Sequence, residues 1–144
     1  MTAYEYIRDC VNVKLDVSRV QGVGVFALRD IEEGEEIFKV WEGESGEYTL
    51  TELELNSLDE RIREHLFNMY GYKQIDGQYQ MFVILNKGCH WIFKTPLHWV
   101  NSCGWDETPS VDKETLIVKK FIRRGEEILA KYGKYNKFKQ TKTI

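Results

Sequence analysis

Apolar residues at Val11, Val13, Leu15 and Val17 alternate with other positions, and this period of two predicts a half-buried strand at the opening of the chain. Further short runs rich in β-branched and aromatic residues, most bounded by Gly, Asp or Asn, predict strands at 25–29, 35–41, 79–85, 89–93, 115–121 and 126–132. One segment shows the helical period instead. Leu58, Ile62, Leu66 and Met69/Tyr70 share a face, predicting a helix over about 58–70, with Ser57 and Glu60 as its capping box and Gly71 as its closing glycine. Thr49 and Glu52 mark a weaker capping box and a short helical turn before it. Strands on both sides of a helical insert predict an α+β, mostly β, fold in one domain spanning 1–144, rather than alternating βαβ units.

The skeleton I-x-x-G-E-E-I occurs twice, from Ile31 to Ile37 and from Ile122 to Ile128, 91 residues apart. Each copy reads as a strand end, a tight turn whose glycine takes positive φ, and a new strand. With 42% apolar and 30% charged residues and two prolines, the chain is neither disordered nor of low complexity. No apolar run approaches a membrane span, and the first residues lack a signal core, so an intracellular protein is expected, in nucleus or cytoplasm, with Cys10, Cys89 and Cys103 reduced.

A net charge of −3 hides an asymmetry. Residues 30–64 sum to −10, whereas residues 119–144 sum to +7. The acidic stretch is either a solvated face or an attractor for a basic partner. The basic end carries no nucleic-acid-binding signature, and direct nucleic-acid binding is not expected. The spacing of Cys89, His90, His98 and Cys103 offers no close ligand pair for zinc, and no metal is expected. Gly22 and Gly24 lead into a strand and would let backbone approach a ligand closely, but the third glycine of a dinucleotide fingerprint and the Lys-Ser/Thr of a phosphate loop are missing.

Four segments, taken in order, resemble the SET-domain family of protein lysine methyltransferases. Ser18-Arg-Val-Gln-Gly22-Val-Gly24-Val-Phe-Ala27 is similar to its cofactor loop, and Ile31-x-x-Gly34-Glu-x-Ile37 running into Trp41-Glu-Gly43 to its second signature. Trp99-Val-Asn101-Ser-Cys103 with Pro109-Ser110 resembles the family's asparagine motif in a degenerate form, with the histidine that usually follows the asparagine absent and Ser110 plus an insertion in place of the second asparagine. Ile122-x-x-Gly125-Glu-Glu-Ile-Leu-Ala-Lys-Tyr132-Gly133 resembles its closing motif. The matching segments are 11–44 and 97–135; 45–96 takes the place of the variable insert, and 136–144 is a basic tail.

The resemblance implies a SET-domain fold of the β-clip type, with several short sheets, a threaded C-terminus and a small helical insert, in a compact form without flanking zinc-binding cysteine clusters. It implies S-adenosyl-L-methionine as cofactor, held by Gly22, Val23, Gly24, Val25, Asn101, Ser102 and Tyr132. Tyr132 would be the catalytic residue, and Ala130, Tyr135 and Trp99 would line the substrate channel, with Phe138 a further candidate for its wall. The implied partner is a protein with an accessible lysine, a histone or other basic protein; a homodimer is open. Alanine at 130, where many members hold an aromatic residue, implies room for di- or trimethylation. A catalytically inactive SET-like interaction module remains the alternative, and a β-clip protein recognising a small molecule or sugar is the third reading. Cofactor binding separates the first two.

Overall fold

The computed structural model describes residues 1–91 and 96–132, so the threaded C-terminus, Tyr135 and Phe138 lie outside the described residues. The chain divides into two compact units. One takes its described residues from Met1–Asn12 and Phe38–Thr95, the other from Val13–Ile37 and Pro96–Ile144.

The first unit opens with helix α1, Ala3–Cys10. This corrects the expectation that the chain begins with a strand. Thr2 Oγ1 accepts from Glu5 N at 3.1 Å and the Glu5 carboxylate accepts from Thr2 N at 2.9 Å, a complete capping box. Ala3, Tyr6, Ile7 and Cys10, spaced i, i+3, i+4, i+7, are its buried stripe. A three-stranded antiparallel sheet follows, ordered β3-β5-β4, from β3 (Gly46–Thr51), β4 (Tyr72–Ile75) and β5 (Gln78–Leu85). Along β5, Met81, Val83 and Leu85 are buried and Ile84 is exposed, the alternation of a half-buried strand. Strand β4 is exposed throughout and carried no such alternation. It is fixed by a two-residue turn, Asp76-Gly77, with φ of 54° and 81°, the backbone that Asp-Gly favours between paired strands.

The helical insert exists as two pieces, α2 (Glu52–Ser57) and α3 (Glu60–Met69). Their caps differ from expectation. Thr51 with Glu54, not Thr49 with Glu52, forms the capping box of α2. Asp59, not Ser57, caps α3 by accepting from Arg61 N at 2.9 Å, while Ser57 closes α2 and donates to Glu54 O. Tyr70 ends α3 in extended conformation, so Gly71 is not used for a left-handed closure. Residues 35–41 make a single bridge, Glu36 to Ile117, and residues 89–91 lie in no strand, against two of the expected strands.

The second unit holds a four-stranded sheet, ordered β1-β2-β7-β6, from β1 (Val13–Val17), β2 (Val23–Ala27), β6 (Asn101–Ser102) and β7 (Glu127–Ala130). β1, β2 and β7 are antiparallel neighbours, and β6 runs parallel to β7. Residues 115–121 form isolated bridges rather than the expected strand.

The two I-x-x-G-E-E-I copies pair with each other. Ile31 and Ile122 exchange both backbone hydrogen bonds, at 2.8 and 2.9 Å. Gly34 N donates to Val118 O and Gly125 N to Ala27 O, so each turn docks on the segment leading into the other. Both glycines have φ near 90°, as a positive-φ turn requires. The first glutamate after each glycine acts alike: Glu35 accepts from Glu32 N and Glu126 from Arg123 N, each three residues back. The repeat is thus a reciprocal pair of turns, not two separate hairpins.

Candidate functional site

The loop between β1 and β2 is closed by Ser18 N donating to Gly22 O at 2.8 Å, and Gly22 carries φ of 50°. The Ser18 hydroxyl gathers the loop from inside. Its oxygen accepts from Val20 N at 2.9 Å and Gln21 N at 3.2 Å, and its proton is directed at the Glu127 carboxylate, 2.7 and 2.8 Å away. From the other side, buried Asn101 places its side-chain nitrogen 3.0 Å from Gln21 O, 3.2 Å from Val23 O and 3.0 Å from Glu127 Oε2. An added β-carbon at Gly24 would overlap the Glu127 carboxylate and press on Ser18. A side chain there would have to displace the Glu127 carboxylate from its bonds to Ser18 and Asn101. Ser18, Asn101 and Glu127 thus form one clasp that sets the glycine loop.

Parallel pairing of β6 with β7 puts Asn101 opposite Leu129 and Ser102 opposite Ala130. Just beyond β7, Tyr132 Oη donates to Val100 O at 2.8 Å, with Leu97 O at 3.4 Å. That bond ties the end of β7 to the 3-10 turn Pro96–Trp99. Burial raises the phenol's pKa above its ordinary 10, so Tyr132 is a neutral donor and acceptor near pH 7. Burial likewise raises the thiol of Cys103, whose amide donates to Ala130 O.

Gly22, Gly24, Asn101, Ser102, Ala130 and Tyr132 are therefore gathered at β2, β6 and β7 of one sheet. Val23 is exposed, while Val25 and Ala130 are completely buried. Trp99 is exposed, edge-on to His98. Ser110, at the degenerate second asparagine position, is buried and accepts from Leu129 N. Glu127 is not among the expected site residues; it follows Glu126 and opens the apolar run Ile128-Leu-Ala, and nothing in that pattern distinguishes it from Glu126. A cavity of about 490 Å³ lies outside the clasp, lined by Pro109, Val111, Asp112, Lys113, Glu114, Lys119 and Lys131. Among the described residues no cluster of three His, Cys, Asp or Glu could hold a metal ion, and no helix is long and apolar enough to cross a membrane.

The short paired strands, reciprocal turns and few helices define an α+β, mostly β, protein organised around a glycine loop. The family model for the SET domain matches residues 22–133, and the chain belongs to that family. Among solved structures, a Plasmodium falciparum protein described as a histone methyltransferase is similar at 16% identity and TM-score 0.36, over 85% of this chain and 94% of that one. A humanized mutant of the Chaetomium thermophilum Polycomb Repressive Complex 2, bound to an inhibitor, is similar at 23% identity and TM-score 0.36, over 84% of this chain and 15% of that one. No match was found among curated proteins.

Proposed function

We propose that the chain is an S-adenosylmethionine-dependent protein lysine N-methyltransferase acting on a basic protein segment. The observation that carries this reading is the convergence, within one sheet of a SET domain, of an open glycine loop, a buried asparagine and a neutral tyrosine. The donor set fits the cofactor: loop backbone, an amide, and a carboxylate that no Lys or Arg pairs among the described residues suit a ligand cationic at sulfur. Gly22, Val23, Gly24 and Val25 would hold it by backbone, with Asn101 and Ser102 behind them.

When bound, S-adenosylmethionine supplies a methyl group already activated by a positively charged sulfur. The protein's task is then to present a deprotonated lysine amine in line with that carbon, and alignment alone is worth several kcal/mol. Tyr132 suits this task. Its hydroxyl is held by donation to Val100 O, and in that position the phenol would orient the amine and turn the nitrogen lone pair toward the methyl. Tyr132 would hold the amine neutral and aimed at that methyl, and the proton the nitrogen gives up would pass to solvent. Ala130, Trp99 and Tyr135 are proposed to line the lysine channel. Exposed Glu42, Glu44 and Glu47 would draw a basic segment, such as a histone tail, by charge rather than by sequence.

Calorimetric titration of the full chain with S-adenosylmethionine tests the reading. Saturable one-site binding, lost in Gly24→Val, is expected; no binding by a folded wild-type protein overturns it.

A further inference from the structure

Strand β7 opens on a carboxylate, Glu127, and continues with Ile128, Leu129 and Ala130. Ile128 and Ala130 are completely buried, and Glu127 beside them is half-buried. The groups holding it are the hydroxyl of Ser18 and the amide of Asn101, both neutral. No cationic side chain is paired with it among the described residues. Neutral donors fix the position of a carboxylate without cancelling its charge, and in a half-buried setting that charge is felt several ångströms away. The surface on which it acts is the glycine loop, because the carboxylate occupies the space a Gly24 side chain would fill.

We propose that Glu127 is a specificity-determining residue, whose charge makes this site favour the sulfonium cofactor over the uncharged thioether product left after methyl transfer. The inference rests on the methyltransferase reading above. Cofactor and product differ by one methyl group and one positive charge at sulfur. Shape therefore separates them poorly, whereas a fixed carboxylate separates them by a charge–charge interaction large enough for a roughly tenfold difference in affinity. Positive charge on sulfur falls as the methyl leaves, so this attraction favours cofactor capture and product release and does not lower the barrier of the transfer itself. Weak product inhibition is the functional consequence.

The test is calorimetric titration of the full chain with S-adenosylmethionine and, separately, S-adenosylhomocysteine, for wild type, Glu127→Gln and Ser18→Ala. Wild type is expected to bind the sulfonium roughly tenfold more tightly, with the preference shrinking as salt is raised. Glu127→Gln keeps the size and one acceptor oxygen, and its preference should fall to near one. Ser18→Ala loosens the loop but keeps the charge, so both ligands should weaken by a similar factor. Should Glu127→Gln fail to fold, Glu127→Asp, which keeps the charge, should retain the preference. A wild-type preference near one, an unchanged preference in Glu127→Gln, or its loss in Glu127→Asp overturns the proposal. Failure of wild type to bind either ligand overturns the methyltransferase reading and this inference together.

Discussion

Tyr132 and Gly24 show how a single residue can be read from sequence by type yet acquire its reason only from its neighbours. The phenol of Tyr132 is anchored through Val100 O, with Leu97 O also in reach, so Tyr132→Phe removes the hydroxyl's hydrogen bonding and leaves the ring. Cofactor affinity should change less than about twofold while the methylation rate drops at least tenfold, about 1.4 kcal/mol, in single-turnover assays on a lysine peptide. Equal rates would remove Tyr132 from the mechanism. At Gly24, close backbone approach to a ligand was the expected reason for glycine, but the structure supplies a nearer one in the Glu127 carboxylate. Gly24→Ala and Glu127→Ala should each lower stability to urea, and the double variant should lose less than the two combined, a coupling of about 0.5–3 kcal/mol. Strict additivity would show that the two positions do not meet. The candidate site was legible as a set of motif residues, a glycine pair, an asparagine and a tyrosine, which the fold brings to one sheet. Glu127 was hidden because its counterpart in the other repeat copy, Glu36, is exposed and makes no such clasp, so one skeleton has two fates.

Among the elements, those whose signal is local were readable and those that depend on distant pairing were not. Strand β5 and helix α3 were legible from burial periodicity, and the positive φ of Gly34 and Gly125 from the turn pattern. Helix α1 carried a capping box and a full apolar stripe, but its eight residues abut the alternating valines of β1, and the stronger strand pattern eclipsed it. The segments at 35–41 and 115–121 have strand composition yet form only bridges, because the reciprocal turns spend their backbone groups on single long-range contacts. Those turns carry their own expectation. Gly34→Ala and Gly125→Ala each place a β-carbon on a backbone with φ near 90°, and each should cost about 1–3 kcal/mol in urea denaturation, by similar amounts. A midpoint unchanged from wild type at either glycine would mean that the turn relaxes without its pairing.

Across the whole molecule, the uneven charge is the feature most open to test. Glu42, Glu44 and Glu47 are exposed, and the contact of Glu44 with Lys87 at 3.9 Å joins two exposed side chains and offsets little. Glu54 belongs instead to the capping box of α2 and should be left intact. With Glu42, Glu44 and Glu47 replaced by glutamine, KM for a basic peptide should rise severalfold with kcat nearly constant, and raising salt should weaken wild type more than the variant. Kinetics independent of salt would make the acidic stretch a solvated face only. The kinetic expectations rest on the proposed transfer of a methyl group to lysine. Mass spectrometry of a basic lysine-containing peptide, after incubation with the protein and S-adenosylmethionine, measures that directly. The account predicts methyl groups confined to lysine nitrogen, sharply reduced with Tyr132→Phe. Unmodified peptide from a folded protein that binds the cofactor would contradict it.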